Sequence, residues 1–288
     1  MSTRRQAILE AVALLRAQNV PSPLYDAREL LAFALRTDVM TMRMHSGEVL
    51  TPEQQQVFDS YIEQRCKRMP LQYITGRQAF MGLDISVRPG VLIPRQDTES
   101  VCEYAMGCAD KLEIDQPHIL DLCCGSGCIG VVMAVQLPKA RVTCADIDPS
   151  CIEMAKANAL KCGVSDLMRF AQGDLWEAVQ GETFDLIVSN PPYIPRSQIP
   201  HLQKEVRDFE PELALNGGSD GFDFYHRIIE QAAQHLAPGG YLVLEAGDGQ
   251  ADLLCRMLRQ AGFQNVENFP DLSGNLRGCA GQWKNTAE

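Results

Sequence analysis

The sequence predicts an α/β protein in which a small all-helical domain precedes a mostly parallel, doubly wound sheet. First, short apolar runs alternate with amphipathic helical patterns from residue 97 onward, which is typical of a sheet with helices on both faces. Second, residues 1–67 show helical periodicity alone. Third, residues 68–96 show the two-residue alternation of a β-hairpin. We therefore predict a helical domain at 1–67, a hairpin linker at 68–96 and a sheet domain at 97–288.

The first two regions contain local signals for where elements begin and turn. Apolar residues recur with helical spacing over 8–15 and 24–35, and Thr51-Pro52-Glu53-Gln54 is typical of a helix that begins with a capping box. In the linker, apolar and polar residues alternate over 83–88. Pro89-Gly90 then turns the chain into the apolar run 91–93, which we predict to be the returning strand.

The third region contains seven predicted strands with helices between most of them. The strands are placed at 118–122, 141–145, 168–171, 184–189, 241–245, 264–269 and 277–283. The helices are placed at 127–136, 149–162, 221–236 and 248–261. The helix at 149 follows Asp148-Pro149, a capping residue and a proline, and ends at Gly163.

Charge and cysteine content exclude several classes of function. The net charge is −11, and it is uneven: residues 1–90 carry 11 basic against 9 acidic side chains, and the remainder carries 15 against 28. An acidic surface repels phosphate, which argues against a nucleic-acid substrate. The 11 cysteines include no C-x-x-C pair, which indicates free thiols, a cytoplasmic location and no zinc site. No apolar run is long enough for a membrane span, and we expect no signal peptide.

Ligand-binding residues are expected just after the strands of such a sheet. The first strand is followed by the G-x-G-x-x-G pattern Gly125-Ser126-Gly127-Cys128-Ile129-Gly130, where the backbone can approach a ligand closely. Asp146 follows the second strand and could accept both hydroxyls of an adenosine ribose. That arrangement fits a nicotinamide dinucleotide and also S-adenosylmethionine. Asp174 and Leu175, after the third strand, could border the adenine.

The fourth strand leads into Asn190-Pro191-Pro192-Tyr193, the most informative segment of the chain. The two prolines fix the backbone and remove two N–H donors. The Asn190 amide oxygen and the Pro191 carbonyl could therefore accept both protons of a planar –NH2 group, with the Tyr193 ring beside it. A dehydrogenase has no need of this arrangement.

Asn-Pro-Pro-Tyr after the fourth strand, with a glycine-rich loop after the first, resembles the S-adenosylmethionine-dependent amino-methyltransferases. Further segments resemble the HemK-type release factor glutamine methyltransferases within that class, and the similarity spans nearly the whole chain. Those segments lie at 22–27, 70–76, 91–99, 210–221 and 271–277. Two positions depart from the family pattern: Cys123 stands where many relatives have glycine, and Gln96 where proline is usual. A cysteine at 123 constrains the backbone there.

The resemblance implies a Rossmann-like seven-stranded methyltransferase sheet with an antiparallel last strand, after an N-terminal domain of five helices that recognises the substrate. It implies methylation of the glutamine amide in the Gly-Gly-Gln motif of class 1 peptide chain release factors. S-adenosyl-L-methionine would be the cofactor and S-adenosyl-L-homocysteine its product, with no metal.

The resemblance also assigns roles by position. The loop of Cys123, Cys124, Gly125, Ser126 and Gly127 would wrap the methionine part of the cofactor. Asp146 would hold the ribose, and Asp174 and Leu175 would border the adenine. The substrate glutamine would lie against Asn190, Pro191, Pro192 and Tyr193, and Asn190 is counted as a cofactor contact as well. Arg95 and Thr98 are expected near the cofactor pocket without an assigned role.

Three other functions remain alternatives. A DNA or RNA amino-group methyltransferase, acting for example on adenine N6, would use the same Asn-Pro-Pro-Tyr chemistry but is disfavoured by the acidic charge. A nicotinamide-dependent oxidoreductase would explain the glycine-rich loop and Asp146 but not residues 190–193. A cofactor-binding regulator without activity would retain the fold alone.

Overall fold

The computed structural model describes residues 2–284, which form two compact units. The helical unit comprises the chain up to Arg77 together with the internal segment Gln203–Phe209, and the sheet unit comprises Gln78–Leu202 and the chain from Glu210 onward. The boundary therefore lies ten residues beyond the predicted end of the helical domain, because the helix at Leu71–Thr75 packs with the helices before it. No sequence pattern predicts that 203–209 belongs to the first unit.

The described chain contains eleven α-helices and nine strands. The helices are α1 (Arg4–Ala17), α2 (Pro23–Ala34), α3 (Val39–Met44), α4 (Pro52–Cys66), α5 (Leu71–Thr75), α6 (Asp97–Lys111), α7 (Cys128–Gln136), α8 (Pro149–Lys161), α9 (Lys204–Phe209), α10 (Asp223–His235) and α11 (Ala251–Gln260). The strands are β1 (Arg77–Phe80), β2 (Leu83–Ser86), β3 (His118–Leu122), β4 (Arg141–Asp146), β5 (Met168–Gln172), β6 (Phe184–Ser189), β7 (Leu236–Glu245), β8 (Gln264–Pro270) and β9 (Leu276–Gln282).

The helical unit has its own apolar core and well-formed helix starts. Thr3 and Thr51 both close capping boxes, with Gln6 and Gln54 respectively, which confirms the predicted start of α4. The core side chains come from α1, α2, α3 and α4 and include Leu15, Leu30, Leu31, Met42, Phe58 and Ile62. These residues repeat at helical spacing, so each helix buries one stripe.

A buried cluster of charges ties α9 to this unit. Arg65, which is 4% exposed, donates from Nε to Asp26 at 2.7 Å and from one terminal nitrogen to Glu205 at 2.8 Å. Arg68 donates from Nε to the same Glu205 carboxylate at 2.7 Å. Burial alone would raise the pKa of Glu205, but the hydrogen bonds from Arg68 and Arg65 together hold it at about 2. Two guanidinium groups thus offset the cost of burying two carboxylates.

The sheet unit is built on a seven-stranded sheet in the order β5-β4-β3-β6-β7-β9-β8. β3 pairs in parallel with β4 and β6, and β7 pairs in parallel with β6. β9 runs antiparallel to both β7 and β8. The predicted α/β fold with a seven-stranded, mostly parallel sheet is confirmed, and so is the antiparallel last strand. The strand order reverses between β3 and β6, where such sheets bind their ligands.

Both faces of the sheet are covered by helices. One core lies against α6, α7 and α8, and the other against α10, α11 and the short helix Leu175–Val179. The central strands are buried on both faces, which explains why their sequences are nearly continuous apolar runs. β3 and β6 have the predicted bounds, and α8 begins at the Asp148 cap and ends before Gly163 as predicted.

Three predicted elements are corrected by the structure. The hairpin of β1 and β2 turns at Met81-Gly82, not at Pro89-Gly90, and the run 91–93 forms no strand. Val91 and Ile93 are buried, so burial and not strand pairing explains their apolar character. β7 starts at Leu236, five residues earlier than predicted, because a bulge between its pairings with Phe184 and Leu186 admits Pro238-Gly239-Gly240 into the strand.

The structure also answers two questions about the chain as a whole. All eleven cysteines are free thiols, and eight of them are buried. Within residues 2–284, no helix combines the length and apolarity that crossing a membrane requires.

Candidate active site

A cavity of about 280 Å³ opens where β3, β4, β5 and β6 end. Its lining includes residues that directly follow each of these strands, as the doubly wound topology requires. The Ser189 hydroxyl, at the end of β6, donates to the Leu122 carbonyl at 2.6 Å and joins the ends of the two strands at which the order reverses. The floor of the cavity is therefore tied together by the strand ends.

The glycine-rich loop after β3 folds through three left-handed backbone positions. Cys123, Gly125 and Gly127 have φ values of 64°, 53° and 74°. Cys123 thus occupies a conformation that favours glycine, and the residue lies at the cavity wall. Asn158 of α8 holds the loop from below, since its amide nitrogen donates to the Ser126 carbonyl at 2.9 Å. The loop therefore keeps its turn although position 123 is cysteine and not the glycine of many relatives.

The two loop glycines are expected to respond differently to substitution. A methyl group at Gly125 meets nothing within 4 Å, whereas one at Gly127 lies 2.6 Å from Ala155 Cβ in α8. Gly125→Ala should cost about 1–2 kcal/mol from backbone strain alone. Gly127→Ala should lower the free energy of unfolding by about 1–3 kcal/mol more, because the added methyl group would overlap Ala155 of α8. Urea unfolding followed by circular dichroism measures both, and equal midpoints for the two variants would refute the close packing of α7 on α8.

Asp146 organises the loop from the end of β4. One carboxylate oxygen accepts the Gly125 N–H at 2.9 Å, and the other accepts the Asp148 N–H at 2.9 Å. Burial raises the pKa of Asp146, and these two backbone N–H groups work against that rise. Each oxygen retains a lone pair, so the carboxylate could still accept two ligand hydroxyls.

Asp174 and Leu175, which follow β5, also line the cavity. The Asp174 carboxylate accepts a hydrogen bond from Arg227 at 2.7 Å, and all three residues line the cavity. Leu175 has a φ of 50°, a left-handed conformation that is rare for a leucine, and its side chain is buried. Strain of this kind persists only where the surroundings enforce it and is common at ligand sites.

The segment Asn190-Pro191-Pro192-Tyr193 is held rigidly by the chain that follows it. The Ile194 N–H donates to the Leu215 carbonyl at 2.9 Å, and the Gly217 N–H donates to the Ile194 carbonyl at 2.9 Å. A Cβ at Gly217 would lie 2.7 Å from Tyr193 Cα, and one at Gly221 would lie 2.3 Å from the Tyr193 carbonyl oxygen. These two glycines therefore allow a close backbone approach that no other residue permits.

Asn190 is half-buried at the wall of the cavity. Its amide nitrogen lies 3.4 Å from the Thr98 hydroxyl at the start of α6. Tyr193 points away from this wall, since its hydroxyl donates to the Glu245 carboxylate at 3.1 Å and is deeply buried. Burial together with the Glu245 charge raises the pKa of Tyr193, so the phenol stays neutral.

The structure brings together most, but not all, of the predicted site residues. Seven of the twelve line the cavity: Cys123, Gly125, Asp146, Asp174, Leu175, Asn190 and Pro192. Cys124 and Ser126 are almost fully buried, and Cys124 packs in the core. Gly127, Pro191 and Tyr193 support the cavity without lining it.

The charge of the cavity distinguishes between the ligands that the sequence left open. Among the described residues, its lining holds three carboxylates, those of Asp146, Asp148 and Asp174, and a single cation, Arg227, which is paired with Asp174. The Gly125 N–H is already bonded to Asp146. A pyrophosphate would find few free donors here, whereas a cationic sulfonium or ammonium group is favoured.

Several lining residues were not predicted. Leu92 belongs to the run 91–93, whose pattern predicts a strand, and Pro211, Leu213 and Ala214 belong to the segment 210–221, which carries only the family resemblance. Phe224 of α10 gives no sequence signal that separates it from a core residue. Only the folded chain shows that these apolar residues face a ligand cavity.

Comparisons with known proteins agree with this architecture. A family model described as PrmC N-terminal domain matches residues 6–76, and one described as Methyltransferase small domain matches residues 108–206. Within the part of the chain that the structure describes, no group of three His, Cys, Asp or Glu side chains could hold a metal ion.

Curated relatives match over most of the chain. A release factor glutamine methyltransferase of Geobacter sulfurreducens is 42% identical over 256 residues, which cover 88% of this chain and 87% of the relative. One from Moorella thermoacetica is 41% identical over 276 residues, which cover 96% of each chain. One from Clostridium acetobutylicum is 37% identical and covers 93% of this chain and 94% of the relative.

Solved structures share the fold at lower identity. A methyltransferase from Pyrococcus furiosus is 20% identical with a TM-score of 0.52, and the match covers 71% of this chain and 91% of that one. The hMettl16 catalytic domain in complex with MAT2A 3'UTR hairpin 6 is 19% identical with a TM-score of 0.58, and the match covers 78% of this chain and 81% of that one. At this identity the likeness concerns the fold alone.

Proposed function

Because this chain belongs to the release factor glutamine methyltransferase family, we propose that it methylates the side-chain amide of a release factor glutamine. The chain is a methyltransferase with S-adenosyl-L-methionine as methyl donor, and S-adenosyl-L-homocysteine is the expected product. The substrate glutamine is that of the Gly-Gly-Gln motif in class 1 peptide chain release factors. The helical unit is proposed to recognise the release factor.

One observation carries the proposal: the planar amide of Asn190 lies at the wall of an acidic cavity, on a turn stiffened by two prolines. Methylation of an amide requires that a poor nucleophile be held in one orientation. Asn190 Oδ1 and the Pro191 carbonyl can accept the two protons of the substrate amide. Gly217 and Gly221 pack against Tyr193 and keep this turn from moving.

The residues present suit the cofactor. Asp146 offers two oxygens for the ribose hydroxyls, and Asp174 with Leu175 provides a polar and an apolar contact for the adenine. The loop from Cys123 to Gly127 leaves space above its backbone at Gly125, where no atom lies within 4 Å of an added Cβ. When bound, S-adenosyl-L-methionine supplies a methyl group activated by a positively charged sulfur.

The protein's contribution is orientation and desolvation. Asn190 and the Pro191 carbonyl aim the lone pair of the glutamine nitrogen, which converts an encounter into a positioned attack. As the nitrogen becomes cationic, its protons bind these acceptors more strongly, and so the transition state is stabilised more than the ground state. No base is required beforehand, since the proton can leave after the methyl group has been transferred.

Asp146→Ala is expected to weaken S-adenosyl-L-methionine binding by about 1–3 kcal/mol, the usual cost of losing hydrogen bonds to a charged group. The carboxylate also holds the Gly125 and Asp148 amides, so the loop loses order at the same time. Isothermal titration calorimetry measures the change. Asp166→Ala, which removes an acidic side chain of a surface turn, is the control, and an unchanged dissociation constant for Asp146→Ala would remove the ribose role.

The reaction itself is tested by mass spectrometry of a purified class 1 release factor incubated with this protein and S-adenosyl-L-methionine. A gain of one methyl group, about 14 Da, on the Gly-Gly-Gln glutamine is expected. A release factor with that glutamine replaced by alanine is the control. Intact cofactor binding without methylation of the glutamine would overturn the proposed substrate.

Methylation of nucleic-acid amino groups is not favoured. The acceptors at Asn190 and Pro191 would suit an adenine amino group equally well. The described residues that line the cavity, however, have a net negative charge, and the one cation among them, Arg227, is paired with Asp174. A phosphate backbone near this opening would be repelled, which leaves a protein amide as the favoured substrate.

A further inference from the structure

A buried glutamine holds the last residue of the turn formed by residues 190–193. Gln250, which directly precedes α11, is 8% exposed. Its Nε2 donates to the Tyr193 carbonyl at 3.1 Å and to the Gly221 carbonyl at 3.4 Å. Its Oε1 accepts the Gly247 N–H at 2.9 Å. Both polar atoms of this side chain therefore have partners, and Nε2 joins the turn to the segment that packs against it.

These partners determine the orientation of the Gln250 amide. A backbone N–H only donates and a backbone carbonyl only accepts. The amide oxygen must therefore face Gly247, and the amide nitrogen must face Tyr193 and Gly221. The reversed amide would place an oxygen against two carbonyl oxygens and would lose all three hydrogen bonds. The direction of each contact thus follows from the positions of backbone atoms.

Residues 245–250 hold Tyr193 at two further points. The Tyr193 hydroxyl donates to Glu245, the last residue of β7, at 3.1 Å. A Cβ at Gly247 would lie 2.9 Å from Tyr193 Cδ2, so the tyrosine ring lies directly against this backbone. The hydroxyl, the ring and the carbonyl of Tyr193 are therefore all held by the chain that follows β7, and Gln250 holds the carbonyl.

The turn is thus fixed at both of its ends. Where it begins, the Ser189 hydroxyl ties the end of β6 to the end of β3. Where it ends, Gln250 holds the Tyr193 carbonyl. The two prolines between these points have a fixed φ, so the segment is stiff. A displacement of Tyr193 is therefore passed on to Asn190 and to the Pro191 carbonyl.

We propose that Gln250 is a positioning residue for methyl transfer. By holding the Tyr193 carbonyl, it keeps Asn190 Oδ1 and the Pro191 carbonyl at the spacing that the two protons of the substrate amide require. Gln250 itself lies outside the cavity lining, so it acts through the turn and not by touching the substrate or the cofactor. The inference deepens the proposed function and rests on it.

Two substitutions remove the donor in different ways. Gln250→Glu keeps the length and the acceptor for Gly247, but places an oxygen against the two carbonyls. Gln250→Met keeps only the length. Gln282→Glu is the matched control, since Gln282 of β9 donates from Nε2 to the Gly239 carbonyl at 2.9 Å and lies outside the cavity lining. The control therefore loses the same kind of hydrogen bond outside the site.

The kinetic result expected is a loss of turnover without a loss of cofactor binding. We expect kcat for glutamine methylation to fall about 10–100-fold in both Gln250 variants, because a small misplacement of an orienting group has an effect of this size. Calorimetry should give an S-adenosyl-L-methionine affinity within about twofold of wild type. Gln282→Glu should keep both quantities. A wild-type kcat in Gln250→Glu, or an equal loss of kcat and affinity, would overturn the inference.

Hydrogen exchange of backbone amides gives a readout that does not depend on turnover. The Ile194 N–H donates to the Leu215 carbonyl and the Gly217 N–H to the Ile194 carbonyl, so these two amides report on the turn. Both should exchange about tenfold faster in Gln250→Met than in the wild type, whereas the amides of β3 should keep their rates. Unchanged exchange at Ile194 and Gly217, or equally faster exchange in β3, would overturn the inference.

The inference and the proposed function fail in different ways. A wild-type protein that binds S-adenosyl-L-methionine and leaves the release factor glutamine unmethylated would defeat the proposed function. An active wild type whose Gln250→Glu variant is equally active would defeat the positioning role of Gln250 alone.

Discussion

Asn190→Ala is expected to lower kcat for glutamine methylation by about 10³-fold and to leave S-adenosyl-L-methionine affinity within about twofold of wild type. The substitution removes the acceptor that orients the substrate amide and also the contact to Thr98. Turnover is measured by mass spectrometry of the release factor, and cofactor affinity by calorimetry. The separation of the two quantities is the essential result, because it assigns Asn190 to the substrate.

Asn268→Ala is the matched control for this experiment. Asn268 lies on β8, where its amide donates to Asp252 at 2.8 Å, and neither residue lines the cavity. Its kcat should equal that of the wild type. If Asn190→Ala lost cofactor affinity as steeply as it lost turnover, Asn190 would be a cofactor contact and the mechanism proposed above would be wrong.

Arg65→Met is expected to destabilise the helical unit by about 3–5 kcal/mol, the cost of leaving buried carboxylates without their partner. Methionine preserves most of the side-chain length, so the loss reports the missing charge and not a cavity. Asp26 and Glu205 would remain buried with only Arg68 nearby. Urea unfolding, combined with hydrogen exchange of the α2 and α4 amides, measures the effect where it occurs.

Lys67→Ala is the control, since Lys67, which directly follows α4, forms an exposed ion pair with Glu63 four residues earlier in the chain. Its unfolding midpoint should match the wild type, as is usual for surface pairs. A small effect of Arg65→Met would mean that water or Arg68 replaces the lost guanidinium, and the cluster would then not support the unit.

Acid should act on the same cluster through Glu205. Its pKa in the folded chain is about 2, below its ordinary 4.5, so its stabilising contribution is complete above pH 4.5 and is lost as the pH falls toward 2. Burial raises the pKa of Asp26. Its charged form therefore lowers the free energy of unfolding, and this destabilisation decreases as the pH falls. The acid sensitivity of the cluster comes from Glu205.

The central sheet could be predicted from sequence because its strands are buried on both faces. β3 and β6 each form a short, mainly apolar run bounded by polar or turn residues, a pattern typical of a buried strand. The run 91–93 gives the same pattern for a different reason. Val91 and Ile93 are buried as irregular chain, and burial alone does not reveal whether a partner strand exists.

The site could be predicted only where the chemistry was local in sequence. Asp146, Asp174 and Asn190 stand at the end of a strand or within two residues after it, so the topology alone brings them to one edge. Thr98 is separated from Asn190 by 92 positions of chain, and only the family resemblance of its segment indicates that it lies near the pocket. The same is true of Gly217 and Gly221, whose requirement comes from the backbone of a distant turn.

The membership of Gln203–Phe209 in the helical unit has a consequence for how the protein can be divided. The polypeptide crosses from one unit to the other three times, after Arg77, before Gln203 and after Phe209. The two units are therefore joined by three connections of the chain and not by a single linker. A fragment that ends at Arg77 lacks Glu205 and leaves Arg68 without its carboxylate. A chimaera that takes its helical unit from a relative must accordingly transplant two separate pieces of sequence, and a single proteolytic cut within Gln78–Leu202 leaves one piece of that unit in each product.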